Sequence, residues 1–258
     1  MRNPLMALYS ANRGKGSPLA IAVNGAEATV EIYDMLVASS ADVDWYGGGV
    51  AADAFARELR GLDVETIHLR INCPGGDVFA GVAMAQAIRE QKATVIAHVD
   101  GYAASAASLL TVVADKAVIA PGGMVMIHKA WTIGMGNADD FTATASLLGK
   151  IDDDLAAAYT AKAGDGDWLA AMAAETWYRA DEAVAAGLCD SIAESAKKMT
   201  AAMAFDLTAY AHAPAALKPA DPVEPPITEA AIAEQITAIF DAHAHRLRAH
   251  ALRMRANS

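Results

Sequence analysis

The sequence predicts an α/β fold built on a mostly parallel sheet, and three observations lead there. Runs with every second residue apolar, such as VETIHLRI at 64–71, read as strands. Stretches of helical spacing, such as VAADAFARELRGL at 50–62 with Val50, Phe55, Leu59 and Leu62 on one face, fall between them. Glycine-rich or proline-glycine turns separate the two kinds of segment, as at Gly47–Gly49 and Pro74–Gly76. Strands alternating with helices in this way imply βαβ crossovers.

The elements follow in order. Residues 1–18 read as a flexible, mildly basic leader. LAIAV and ATVEIY, within 19–33, form a first strand region broken at Asn24-Gly25. The helix at 50–62 and the strand at 64–71 come next, the strand ending at Pro74-Gly75-Gly76. A helix is expected from Val78 to Glu90 and a strand over 94–100. A second helix opens near Ala104, followed by short strands at 117–119 and 124–128. A long helix spans Asn137 to Ala163, with Leu147, Leu148, Ile151, Leu155 and Tyr159 as an apolar stripe. A short helix at Asp181–Ala186 and the strand LCDSI complete a domain over 19–193. Residues 194–226 read as an Ala-rich and then Pro-rich linker. Thr228 caps a final helix within 227–258, whose seam carries His243 and His250 and so makes an imperfect coiled coil.

Composition narrows the function classes. With 258 residues and 54% apolar content, much of it alanine, the chain can bury one sizeable α/β core. A formal net charge of -11 argues against nucleic-acid binding, which needs clustered Lys and Arg on the phosphates. No apolar run approaches a membrane span, and the polar N-terminal stretch does not resemble a secretory signal. The expectation is therefore a cytoplasmic protein with no membrane and no nucleic-acid partner. Two cysteines, Cys73 and Cys189, form neither a CxxC motif nor a disulfide framework. The tail histidines form no i, i+4 pair, since His243 faces Leu247 and His245 faces Ala249, so no metal is called for. Trp131, Trp168 and Trp177 read as packing residues.

Three chemically suggestive features fall at strand ends, where ligands gather in open α/β sheets: Pro74-Gly75-Gly76, Gly101-Tyr-Ala-Ala-Ser105 and Met126-Ile127-His128. A serine in the first turn of a helix lies near free N–H groups and the positive dipole end, which favour developing negative charge. Flanking Ala103, Ala104, Ala106 and Ala107 leave room for a substrate backbone. Gly75-Gly76 before a helix offers further N–H donors, so an oxyanion hole is available. Each feature has a plainer explanation. A serine in an Ala-rich helix is usually core filler, Ser108 one turn later competes with Ser105, and a histidine at a strand end is more often structural than catalytic.

Their combination and order decide. INCPGGDVFAG, GYAASAASLL, VMIHKAW and ETWYRADEAVAAGLCDSI, spread over residues 20–193, resemble the ClpP-like serine peptidases, closest to the phage-encoded head-maturation (prohead) proteases. The resemblance implies a ClpP/crotonase-like spiral of βαβ units with a protruding handle helix, here 137–163, followed by a C-terminal helical tail. It implies Ser105 as nucleophile, His128 as base, and an oxyanion hole at Gly75 and Ala106. The third triad position falls on Glu175 where the family has an aspartate; a glutamate can also orient and stabilise an imidazolium. Asp165 and Asp167 are alternative carboxylates. Cys73 stands where the family has serine before Pro-Gly-Gly, and a nucleophilic role for it is not expected.

The implied activity is peptide-bond cleavage, without metal or nucleotide cofactor, on a capsid or scaffold polypeptide during head maturation. A homo-oligomeric ring is implied as well. The chain has no GxxxxGK[ST] loop, so any unfolding ATPase would be a separate partner. Alternatives are a housekeeping ClpP subunit working with such an ATPase, a non-catalytic assembly protein on the same fold, and an acyl-CoA enzyme of related fold. The Ser105–His128 pair argues against the last two.

Overall fold

A computed structural model describes residues 4–194, 205–214 and 217. The order of elements is α1 (Pro4–Asn12), β1 (Ala20–Asn24), β2 (Glu27–Ile32), β3 (Leu36–Val37), α2 (Ser40–Tyr46), β4 (Val50–Ala51), α3 (Ala52–Arg60), β5 (Thr66–Cys73), α4 (Val78–Arg89), β6 (Thr94–Ala104), α5 (Ala106–Val112), β7 (Lys116–Ile119), β8 (Met124–Ile127), α6 (Ala138–Ala163), α7 (Trp168–Ala173), β9 (Thr176–Arg179), α8 (Ala180–Ala185) and β10 (Ser191–Ile192). The main sheet runs β1-β2-β5-β6-β7-β10, with β8 joined to β6 and β9 to β8. Pairings are parallel except β1 with β2 and β8 with β9, so the α/β expectation holds.

The turn of the sheet is made within β6. Its residues Ile96–Val99 pair with β7, while Tyr102–Ala104 pair with β8. One strand thus serves two partners, and the change comes around Gly101, where a Cβ would stand 2.4 Å from Asn72 Oδ1. The consequence is functional: the last residues of β6 and β8 run side by side, and both strands end at chemistry-bearing residues.

The inner face of the sheet carries Val30, Ile32, Ile67, Leu69, Ile71, Val95, Ala97 and Val99, all buried. Against it lie the apolar faces of α3, α4 and α5. Helix α3 shows why the pattern works: Phe55 and Leu59, one helical turn apart, are fully buried, while Arg57 and Arg60 point to solvent. Burial of such a side chain contributes roughly 1.5–3 kcal/mol. A second apolar cluster gathers Leu8, Tyr9, Met35, Tyr102, Met126, Phe205, Leu207 and Tyr210.

That second cluster corrects two expectations. Residues 4–12, inside the segment read as a flexible leader, form α1; Leu8 and Tyr9 are buried and the Tyr9 hydroxyl donates to the Leu36 carbonyl at 2.7 Å. Residues 205–214, inside the segment read as a linker, are seated rather than extended, with Phe205, Leu207, Tyr210 and Ala213 buried. Asn12 joins the two pieces. Its Nδ2 donates to the carbonyls of Leu8 and Asp206 at 2.8 and 2.9 Å, and its Oδ1 accepts from the Asp206 N–H. The expected final helix lies outside the described residues.

The long helix α6 is capped by Asn137, whose side chain accepts from the N–H groups of Asp139 and Asp140. Its apolar stripe divides. Leu155 and Tyr159 are buried, Tyr159 beside Trp168 at a ring separation of 6.0 Å, whereas Leu147 is 52% exposed. Among the described residues no helix is long and apolar enough to cross a membrane.

Candidate active site

Ser105 occupies the junction between β6 and α5, with φ 55° and ψ −128°. A positive φ is uncommon for a residue with a Cβ and has a steric cost. The surroundings hold it there: its N–H donates to the Met126 carbonyl of β8 at 2.9 Å, and its own carbonyl accepts from the Ser108 N–H at 2.9 Å. The sharp turn lifts the side chain out of the helix. Ser105 Oγ then lies 2.7 Å from His128 Nε2, just past the end of β8. The parallel pairing of β6 with β8 is what brings these residues, 23 apart in sequence, into contact.

Burial pushes the His128 imidazole down to about 4 from its usual 6.5, opposed by the negative charge of Glu175. The ring is therefore neutral at pH 7 and can accept a proton. Glu175 itself sits in a left-handed conformation, φ 49°, between α7 and β9. Among the described residues no hydrogen bond joins its carboxylate to His128. Its oxygens accept instead from the N–H groups of Ala211 and His212, at 3.1 and 2.6 Å. The alternative carboxylates are placed differently: Asp165 and Asp167 are exposed, and Asp167 caps α7 by accepting from the Ala170 N–H.

A cleft of about 190 Å³ opens over the pair, lined by Gly76, Val78, Phe79, Ser105, Ala106, His128, Trp131, Leu147, Leu148, Ile151 and Tyr210 among others. Ala106 is the first residue of α5, so its N–H has no partner within the helix. The glycine turn opposite divides its roles. The Gly75 N–H donates to Cys73 Sγ at 3.4 Å and its carbonyl accepts from Leu36 N–H at 2.8 Å, whereas Gly76 lines the cleft. A Cβ on Gly76 would stand 2.2 Å from the Leu36 carbonyl oxygen, so only glycine fits.

The remaining candidates have structural partners. Ser108 is fully buried, donating to the Ser105 carbonyl at 2.6 Å and paired with the Tyr159 hydroxyl at 2.8 Å. Cys73 and Cys189 are free and buried, and burial pushes both thiols up, Cys189 to about 12, so neither is a ready nucleophile. Trp168 is buried and donates to Gly164; Trp131 lines the cleft, which its reading as a packing residue did not anticipate. Tyr210 was not singled out from sequence at all. Its hydroxyl donates to the Pro74 carbonyl, and its ring meets that of His128 edge-on at 5.4 Å.

One strand shared by two partners, with a serine and a histidine in contact at adjacent strand ends, is a layout that serine hydrolases can use. The comparisons name the family. The Clp protease family profile matches residues 59–196, and the chain belongs to that family. A relative described as an ATP-dependent Clp protease proteolytic subunit, from Bdellovibrio bacteriovorus, is 32% identical over 157 residues, covering 57% of this chain and 74% of the relative. Another of that description, from Deinococcus radiodurans, is 33% identical over 114 residues, 42% of this chain; the chain spans only 56% of that relative's length. Membrane protein NfeD1b of Bacillus subtilis is 35% identical over 97 residues, covering 38% of this chain and 22% of that protein. Among solved structures, a ClpP1 variant from Listeria monocytogenes superposes with a TM-score of 0.54 at 20% identity, over 65% of this chain and 91% of the other, and so shares its fold.

Proposed function

We propose that this chain is a serine endopeptidase in which Ser105 attacks the peptide carbonyl and His128 is the general base. The observation that carries the reading is the 2.7 Å contact between Ser105 Oγ and His128 Nε2 at the floor of an open, largely apolar cleft. His128, neutral at pH 7, takes the hydroxyl proton as the Ser105 oxygen bonds to the carbonyl carbon. The oxyanion is received by the Ala106 N–H and by a glycine N–H of the 75–76 turn. Gly75 is the residue the resemblance implies, but its N–H is turned to Cys73, which favours Gly76. His128 then gives its proton to the leaving amine, and water releases the acyl group by the same route. Glu175 supplies the negative charge that favours the imidazolium in the transition state. A fluorophosphonate label tests this: it should map to Ser105 and disappear in Ser105→Ala and His128→Ala. Labelling of Ser108 would overturn it.

The substrate is a capsid or scaffold polypeptide processed during phage head maturation, in the host cytoplasm or the assembling prohead. This rests on the resemblance to phage-encoded relatives and on the chain that continues past the family match at residue 196. Co-expression with a candidate capsid precursor should give cleavage dependent on Ser105. A second reading has a specific observation behind it: two of the relatives are described as proteolytic subunits of ATP-dependent proteases. On that reading, folded substrates are degraded only when an unfolding ATPase is added. In either case subunits assemble into a homo-oligomeric ring. The exposed apolar side chains Phe79, Val82, Phe141 and Leu147 support the assembly, and light scattering tests it.

A further inference from the structure

The segment 205–214 touches the His128 ring, the Glu175 carboxylate and the turn at Pro74. It is anchored at its start: Phe205 N–H donates to the Tyr102 hydroxyl at 3.1 Å, Asp206 exchanges bonds with Asn12, and Phe205 and Leu207 are buried. From that anchor the chain enters the site. The Tyr210 hydroxyl donates to the Pro74 carbonyl, at the start of the glycine turn. A Cβ built on Gly75 would lie 2.7 Å from Ser105 Cβ and 3.2 Å from the Tyr210 oxygen, so the phenol is wedged beside the nucleophile. The ring stands edge-on to His128 at 5.4 Å and to Trp177 at 6.0 Å. One residue later the N–H groups of Ala211 and His212 hold the Glu175 carboxylate, and His212 Nδ1 lies 3.0 Å from the Ala174 carbonyl.

We propose that residues 205–214 form a strap that positions the catalytic centre, with Tyr210 as its positioning residue. The hydroxyl fixes the turn that carries the glycine oxyanion donor, the ring fixes the plane of the His128 imidazole, and the two N–H groups fix the Glu175 carboxylate. The strap is not an inhibitory plug. The Ser105–His128 contact is intact beneath it, and both residues still line the open cleft, with Tyr210 in its wall. Burial and the Glu175 charge are what act on His128, and the Tyr210 ring packed against the imidazole supplies part of that burial.

This inference rests on the proposed Ser105–His128 mechanism, and the experiment separates the two. Peptide hydrolysis is measured on the full-length chain, per active site titrated to its end-point with a fluorophosphonate for wild type, Tyr210→Phe and Tyr210→Ala, and per mole of protein for Ser105→Ala. Ser105→Ala that still hydrolyses peptide refutes the mechanism itself. With Ser105→Ala inactive, Tyr210→Phe should lower kcat about tenfold, the loss expected of one positioning hydrogen bond, with KM within twofold of wild type. Its acid limb should not move, because the ring still shields His128. Tyr210→Ala should lower kcat further and shift the acid limb upward toward the ordinary histidine range as water reaches the imidazole. A stability loss alone changes the number of titrated sites, not kcat per site or the pH limb. Wild-type kcat in Tyr210→Phe, a change confined to KM, or a gain of activity in either variant would overturn the strap; the last would make it an inhibitor.

Discussion

Two histidines of this protein have nearly the same acidity and opposite neighbourhoods. His98, on the outward face of β6, is pushed down to about 4 by burial, with Arg70, His68 and Lys116 adding positive charge around it. His128 reaches about 4 through burial as well, but a carboxylate opposes the shift. The partners differ too. His98 Nε2 lies 3.0 Å from His68 Nδ1, so its partner is a second imidazole and not a hydroxyl. His128 Nε2 faces a hydroxyl held in a strained backbone conformation. A depressed histidine is thus no mark of catalysis by itself. What separates the sites is the negative charge waiting to stabilise an imidazolium at one and the positive charge that would repel it at the other.

Breaking the catalytic side should give the largest effect. Ser105→Ala should drop kcat/KM by about 10⁴-fold or more, with thermal stability little changed, because alanine keeps the Cβ and with it the same backbone cost at φ 55°. Glu175→Gln comes next. A triad carboxylate bonded directly to its histidine is worth about 10⁴ when it becomes an amide. With the carboxylate held by Ala211 and His212 instead, we expect about a hundredfold loss, read in steady-state kinetics.

The pH profile sharpens the contrast. Activity of the wild type should stay level from neutral pH downward and fall with an apparent value of about 4, where His128 takes a proton. Removing the Glu175 charge removes the influence that raises His128, so the acid limb of Glu175→Gln should move to lower pH. Ser108→Ala should leave kcat within severalfold of wild type and destabilise the fold by about 1–3 kcal/mol, since the buried Tyr159 hydroxyl loses its partner. His98→Gln should have the smallest effect on rate, none beyond twofold. Its signature is in unfolding. A histidine whose folded value lies below its free value of 6.5 stabilises the fold fully above 6.5 and loses that contribution as pH falls toward 4. Denaturation of His98→Gln across that window should therefore vary less with pH than that of wild type.

The sequence made the βαβ order legible because β5 and α3 carry clean periodicities, and the Ser105 and His128 segments carry a recognisable order of motifs. It concealed whatever depends on distant partners. β9 contributes only Thr176–Arg179, too short to show alternation, and is a strand because β8 pairs with it. Phe205, Asp206 and Tyr210 fit neither a helix nor a strand, and their partners Tyr102, Asn12 and Pro74 lie 103, 194 and 136 residues away. The apolar stripe of α6 was visible, but not its division: α5 and α7 cover Leu155 and Tyr159 within the subunit, and only the N-terminal part is left to another surface. The resemblance implied Gly75 as the donor glycine, and the sequence could not show that its N–H faces the Cys73 thiol.

The pairing of Asn12 with Asp206 also sets an order of events in synthesis. The first helix is made early, yet the backbone groups that complete its buried amide are added 194 residues later. Until the ribosome has released residue 214, the sheet can fold around Ser105 and His128 while Glu175 lacks the N–H groups that hold it. On the proposed strap, a nascent chain would carry Ser105 and His128 before it carries the segment that holds Glu175.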